Sequence, residues 1–269
     1  MFITKRISDK TLEINEKNHQ DEILENYLES MEKLLLDYKL SNDDGDNQAR
    51  NVARFKTLTV LRRLTSNPEQ DKSIILKFLR DTELIQFKNN DHETSKLRLA
   101  FCDFQKANLG GIELEIANLI AVNFIGASFK KANLRGSVLI AADLRKTDFT
   151  KADLRKVDLS GSVLLRANLK EADLRDANLK IANLKEANFK EANLTRTNLE
   201  GAYLYRAKCL NIKDLKSAKN WEKAIFTRAK LDKDKFQWIV EDKENNELQV
   251  EIIRNSTSGI VGGIMESSF

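Results

Sequence analysis

The sequence predicts a mainly β solenoid, preceded by a small all-α segment and followed by a short cap. Three observations predict the solenoid. Every fifth residue from Phe104 to Leu204 is Leu or Phe, the residue two positions earlier is usually small, and Asn or Asp usually stands directly before the Leu or Phe. An internal repeat this regular indicates a repeat architecture in which successive units stack on one another.

A period of five fits neither regular secondary structure. Five residues advance about 500° around an α-helix, so the leucines would wind around the rod and form no stripe. In a straight strand, residues five apart point to opposite faces. The small residue and the Leu or Phe can point inward in every unit only if each unit contains a corner, where the chain bends before the next unit begins. The middle of the chain is therefore expected to coil around a narrow apolar interior.

The polar positions of the repeat fit the same coil. Asn and Asp beside corners can hydrogen-bond to nearby backbone, which favours them in turns. Stacked coils would pair their backbone groups with the coils above and below, about 4.8 Å away.

Residues 167–179 read ANLKEADLRDANL, which resembles the pentapeptide-repeat family, whose pattern is Ala-(Asp/Asn)-Leu followed by two variable residues. The resemblance implies a right-handed quadrilateral β-helix with four repeats, or about 20 residues, per coil. Counting in twenties also places Phe104 and Phe124 on one side and Phe129, Phe149 and Phe189 on the next. Four sides give about five coils.

The all-α segment is predicted to occupy residues 1–96. Apolar residues at helical spacing mark one helix over about 21–39, a second ending before Asn67-Pro68, and a third around Ile74–Leu79. Residues 27–35 and 57–64 are similar to the leader domain of cyanobacterial pentapeptide-repeat proteins, a resemblance that brings no assigned activity.

The β-helix is predicted over 97–210, and residues 211–269 are predicted to form the cap. That segment should contain a short helix starting near Ile212, a hairpin pairing 236–240 with 248–252, and a mobile tail from Asn255. A solenoid end exposes unpaired backbone groups and apolar core, so we expect both flanks to cover an end. The larger N-terminal segment exceeds what a cap requires.

The composition argues against an enzyme. The chain has 269 residues with two cysteines and two histidines, which leaves little material for a metal site, and no phosphate-binding glycine loop is present. Cys102 and Cys209 both fall in inward positions, and the aspartates occupy the slot beside the corner, where backbone bonding explains them. We therefore expect no catalytic residues, no metal and no cofactor.

No apolar run approaches the roughly 20 residues of a membrane span, and the first residues contain no export signal, so we expect a cytoplasmic protein.

Residues 97–209 hold 19 basic and 13 acidic side chains, whereas 1–96 hold 16 and 18. An outward basic ladder is predicted in this region, formed by Arg135, Arg155 and Arg175, with Lys130, Lys170 and Lys190 on the adjoining side. Such a stripe could meet phosphates, so a nucleic-acid-binding module is the alternative hypothesis, although acids lie alongside and few aromatics are available for stacking. Some pentapeptide-repeat proteins imitate DNA and bind DNA gyrase, a role that needs an acidic rod and is disfavoured here.

Apolar residues in outward positions are the more useful anomaly. They are Ile120, Ile125, Val138 and Ile140. Clustered in this way, they indicate either a contact surface or a region covered by the protein's own chain. The favoured hypothesis is a non-enzymatic interaction or scaffold module that binds a protein partner through this patch. A homodimer through the helical segment or a solenoid face is also considered.

Overall fold

A computed structural model describes residues 2–40, 47–64, 68–85, 97–210, 212–226, 229–232 and 237–240. Three helices come first, then a coiled region, then a short helix, a 3₁₀ turn and two strands. They are α1 (Phe2–Asp37), α2 (Asn47–Arg63), α3 (Pro68–Asp81), α4 (Ile212–Lys216), the turn Trp221–Lys223, β1 (Ala229–Asp232) and β2 (Gln237–Val240).

The three N-terminal helices pack around their own apolar side chains. Met31 of α1 and Ile75 of α3 are fully buried, and the Tyr27 ring meets the Phe78 ring edge-on at 6.4 Å. The Tyr27 hydroxyl also lies 2.9 Å from the Thr57 hydroxyl of α2. An N-terminal helical region is therefore confirmed. The predicted helix over 21–39 lies within α1, which begins much earlier.

The coiled region repeats its backbone pairing every 20 residues. Asp153 pairs in parallel with Asp173, and Asp173 with Asn193. The Leu154 N–H donates to the Asp173 carbonyl at 2.8 Å. Four five-residue units therefore make one coil, and each residue stacks on the residue 20 positions later.

The interior of the described coil is mostly apolar, and the buried hydroxyls of Ser137, Thr147, Ser162 and Thr197 each donate to a backbone carbonyl. Leu154, Leu174 and Leu194 are each at most 2% exposed and stack in one file. Phe104 stacks on Phe124 with ring centroids 5.6 Å apart. Phe129 and Phe149 stack at 5.4 Å, so the grouping of phenylalanines by twenties is confirmed.

A corner follows each buried Leu or Phe. The second residue after it takes a positive φ, as at Lys106, Lys151 and Ile181, while glycine fills the same slot at Gly161 and Gly201. The Asp153 carboxylate accepts a hydrogen bond from the backbone N–H two residues later at 3.1 Å, and other Asn and Asp residues repeat the contact. The predicted corners and their turn-stabilising side chains are confirmed.

Both ends of the coil are paired with flanking segments. At the start, the Asn118 N–H donates to the Ile85 carbonyl at 2.6 Å, in a place where later coils use the coil before them. At the far end, the Leu199 N–H donates to Lys219 at 3.0 Å and Leu204 to Ile225 at 2.7 Å. The flanks thus satisfy backbone groups that the terminal coils would otherwise leave open.

One detail differs from the sequence prediction. Cys209, predicted to point inward, is exposed with φ 55°, because the five-residue register stops there and Leu210 is buried in its stead. Among the described residues, the strand over 237–240 pairs with Ala229–Asp232. The predicted partner strand at 248–252, the tail from Asn255 and His92 all lie outside the described residues.

Candidate protein-interaction surface

One side of the coil carries no charge at residues 117–121 and 137–141, although Arg98 is exposed on the same side one turn earlier. Ile120 and Ile140 occupy the position directly after a buried leucine, and both are half-buried. Ser160, Lys180 and Glu200 continue the same file, which we call the isoleucine file although only its first two members are isoleucine. Ala121 and Ala141 lie beside the isoleucines, so this surface is flat and apolar near the start of the coil.

Val138 requires a correction. The sequence placed it in an outward position, but it is only 2% exposed. It pairs with Asn118, whose N–H binds Ile85, and both Leu84 and Ile85 are fully buried. The segment that ends at Ile85 therefore pairs with the coil on this side, one coil before Val138.

Ile125 lies around a corner from the isoleucine file. It is half-buried, and its N–H donates to the Asn123 side chain at 3.1 Å. The structure thus brings Ile120 and Ile140 together and leaves Ile125 on the adjoining side.

Two strongly exposed apolar residues on this side, Phe101 and Ile181, escaped the sequence analysis. Ile181 is 65% exposed and occupies a corner position with φ 58°. It stands in a slot filled by Gly161 one coil earlier and Gly201 one coil later. A β-branched residue in a slot that favours glycine was the available signal.

The basic ladder is present in position, but its charges are paired. The guanidinium groups of Arg155 and Arg175 each bind the aspartate two residues earlier, Arg175 to Asp173 at 2.5 Å. The Arg135 guanidinium lies 3.8 Å from Glu115. The three predicted lysines also have acidic neighbours, as Lys130 with Asp148 at 3.4 Å, Lys170 with Glu171 at 3.2 Å and Lys190 with Glu191 at 3.8 Å.

A family model for pentapeptide repeats matches this coil in eight copies, over residues 98–136, 117–155, 142–180 and 182–213. The matched residues are pentapeptide repeats. Such repeats fold as right-handed β-helices, in accord with the 20-residue pairing described above.

Solved pentapeptide-repeat structures resemble this region. A protein from the cyanobacterium Cyanothece 51142 is 22% identical with a TM-score of 0.31, covering 46% of this chain and 90% of its own. HetL from Nostoc sp. strain PCC 7120, involved in heterocyst differentiation regulation, is 31% identical with a TM-score of 0.22, covering 48% and 64%. QnrB1, a plasmid-mediated fluoroquinolone resistance protein, is 21% identical with a TM-score of 0.35, covering 47% and 66%. No curated protein matches the chain.

Two aspartates of the pentapeptide-repeat coil, Asp153 and Asp173, are held in their charged form. The hydrogen bond from Arg155 lowers the pKa of Asp153, and that from Arg175 lowers the pKa of Asp173. A general acid needs a carboxyl whose pKa is raised toward neutrality. The pKa values of these aspartates are shifted in the opposite direction. The aspartates instead form ion pairs with the arginines of the basic ladder.

Cys102 is the buried thiol of the pentapeptide-repeat coil. Burial raises its pKa to about 12, although the positive charge of Arg54 acts in the opposite direction. A thiol that stays protonated at neutral pH is a poor nucleophile. Cys102 therefore acts as apolar filler.

Within the described part of the chain, no group of three or more His, Cys, Asp or Glu side chains is placed to hold a metal ion. None of its helices has the length and apolar character that crossing a bilayer requires.

Proposed function

We propose that the protein is a non-enzymatic interaction module that presents a rigid β-solenoid surface to a protein partner. One observation carries the proposal. The backbone ladder runs from Asp103 to Lys208 with residues 20 apart paired, and one side of it bears an apolar surface that is uncharged at residues 117–121 and 137–141. A surface held by an unbroken ladder loses little conformational freedom on binding, which favours affinity.

The proposed organisation has three parts: a helical segment over 1–96, a four-sided β-helix of about five coils over 97–210, and a cap over 211–269. It is supported by the backbone pairing of Ile85 and of Lys219 and Ile225 with the terminal coils. The helical segment has a core of its own, so we propose that it does more than close one end. We propose the cytoplasm as its location.

The proposed contact surface is centred on Ile120 and Ile140, with Ile125 at its edge. Val138 is left out because it is buried. Apolar side chains grouped on an otherwise charged surface are typical of protein contact sites. The pairing of Arg135, Arg155 and Arg175 with acids leaves a nucleic-acid role without comparable support, so we do not advance it.

The test replaces both isoleucines with lysine and compares the proteins that co-purify with the full chain from its native cell. We expect Ile120→Lys/Ile140→Lys to lose a partner that the unaltered chain retains. Lys180 already occupies the isoleucine file, so lysine fits its backbone geometry. Ser160→Lys is the matched control, because it adds the same charge one coil later and should retain the partner. An unchanged set of partners in the double variant would refute this surface.

A further inference from the structure

Helix α2 exposes an apolar stripe that the sequence pattern assigned to a core. Val52 is 44% and Phe55 is 70% exposed, and Thr59 continues the same face one turn later. The other side of α2 packs inward through Ala53, Thr57 and Leu61. The stripe is therefore additional to the packing of the three helices.

A groove runs beside this stripe, between α1 and α2. Apolar side chains form most of it, with Lys56 and Arg63 at its edge. Its residues are Ile23, Asn26, Tyr27, Ser30, Phe55, Lys56, Thr59, Val60 and Arg63. Its volume is about 190 Å³. Sites for small molecules usually enclose ~300–1,000 Å³, so this groove fits a single large side chain better than a free ligand.

The two helices that border the groove carry opposite charge. Helix α2 has five basic residues and no acidic one, whereas residues 15–37 of α1 have seven acidic residues and two lysines. Arg62 and Arg63 on α2 and Glu22 and Glu29 on α1 are all exposed. One face of the molecule thus has an acidic half, a basic half and an apolar centre.

A twofold axis brings the same surface of two copies together, so the surface must be complementary to itself. This face meets that requirement, because rotation by 180° can place the acidic α1 of each copy opposite the basic α2 of the other. We propose that a second copy of this chain docks here, with Phe55 of each copy entering the groove of the other. This association is separate from partner binding by the isoleucine file, and a monomer could still bind that partner.

The first test measures the mass of the full chain in solution by light scattering or sedimentation at micromolar concentrations. We expect the mass of two chains for the unaltered protein. Phe55→Glu should weaken association by at least about 30-fold, as loss of a central aromatic contact does, and give the mass of one chain. Ile181→Glu is the matched control, since it charges a similarly exposed apolar residue elsewhere, and it should remain a dimer.

A second test does not depend on the apolar centre. Arg62→Glu/Arg63→Glu changes the summed charge of α2 and residues 15–37 of α1 from 0 to −4, and Glu22→Lys/Glu29→Lys changes it to +4. Each variant alone should therefore be monomeric. Mixing the two should restore dimers that contain one copy of each. Far-ultraviolet circular dichroism checks that every variant is folded. A monomeric unaltered chain, a dimeric Phe55→Glu variant or a mixture without heterodimers would overturn the proposal.

Discussion

At the scale of single residues, the corner position imposes the clearest conformational demand. The second residue after each buried Leu or Phe has φ near +60°, where non-glycine residues are disfavoured by about 1–2 kcal/mol. Most of these slots nevertheless hold Lys, Glu, Arg or Ala, so the ladder tolerates this strain repeatedly. Ile116 and Ile181 bear the most, because a branched Cβ is the least compatible with a left-handed backbone.

We predict that Ile181→Asn stabilises the protein by about 1 kcal/mol, since Asn tolerates this conformation better. Gly161→Ile should do the reverse and cost about 1–2 kcal/mol. Gly161 has φ in the same region, and no atom beyond its chain neighbours lies within 4 Å of where a Cβ would stand. The substitution therefore changes only the free energy of the backbone conformation. Urea unfolding of both variants provides the measurement, and a stabilising Gly161→Ile would contradict the argument.

Residue-scale burial explains where the candidate site could and could not be predicted. The outward positions of Ile120 and Ile140 follow from the five-residue period alone, and the structure leaves them half-buried at the surface. The burial of Val138 could not be predicted, because the five-residue period assigns its slot an outward position and carries no information on what packs against it. Cys209 does not point inward as predicted. The prediction extended the five-residue period by one unit, and the period carries no information on where the coil ends.

At the scale of elements, the helical region is joined to the coil by polar contacts as well as backbone pairing. Lys72 of α3 is buried and forms an ion pair with Asp103 of the first coil at 3.0 Å. The Ser73 hydroxyl donates to the Asn108 carbonyl at 2.7 Å. These contacts fix α3 against the start of the repeat, so the two parts should unfold together.

We predict that Asp103→Ala destabilises the protein by about 2–3 kcal/mol, because it leaves the ammonium of Lys72 buried without its counter-charge. Asp143→Ala is the matched control, because Asp143 lies two coils later in the same file. It also removes a turn-stabilising carboxylate, but its partner Arg145 is exposed, so the cost should stay below about 1 kcal/mol. Equal losses in thermal unfolding would show that the Lys72 ion pair contributes nothing specific.

Element boundaries were less predictable than element types. The pattern of apolar residues begins near Ile23, but α1 extends to Phe2 through a stretch whose polar composition gives no helical signal. The strand at 237–240 was predicted from alternation and exists, whereas its described partner strand, Ala229–Asp232, was not predicted. Alternation identifies a strand but does not select among neighbouring partners.

At the scale of the whole molecule, acidic side chains paired with Arg or Lys run along the entire coil. Their pKa values are lowered, chiefly by hydrogen bonds from the basic partners, at Asp153, Glu171, Asp173, Asp176, Glu186 and Glu200. A carboxyl with a lowered pKa stabilises the fold above its unfolded pKa of about 4, and that contribution is lost as the pH falls through the folded value. The protein should therefore lose stability in acid.

We predict that Asp153→Asn/Asp173→Asn reduces this acid sensitivity. Asn133 and Asn193 occupy the same file, and their side-chain oxygens accept the same backbone N–H, so the substitution removes the charges and retains the turns. The variant should be slightly less stable than the unaltered protein at neutral pH and equal to it below about pH 3. A stability difference of the same size at both pH values would disprove the linkage.

The carbonyl of Ile85 that receives the Asn118 N–H has a consequence for how the rod is made. Ile85 precedes the repeat in the chain, so during synthesis the template for the first turn is already outside the ribosome when that turn emerges. Winding can then proceed from the N-terminal end, each new turn laid on a finished one. The order of synthesis and the order of stacking coincide.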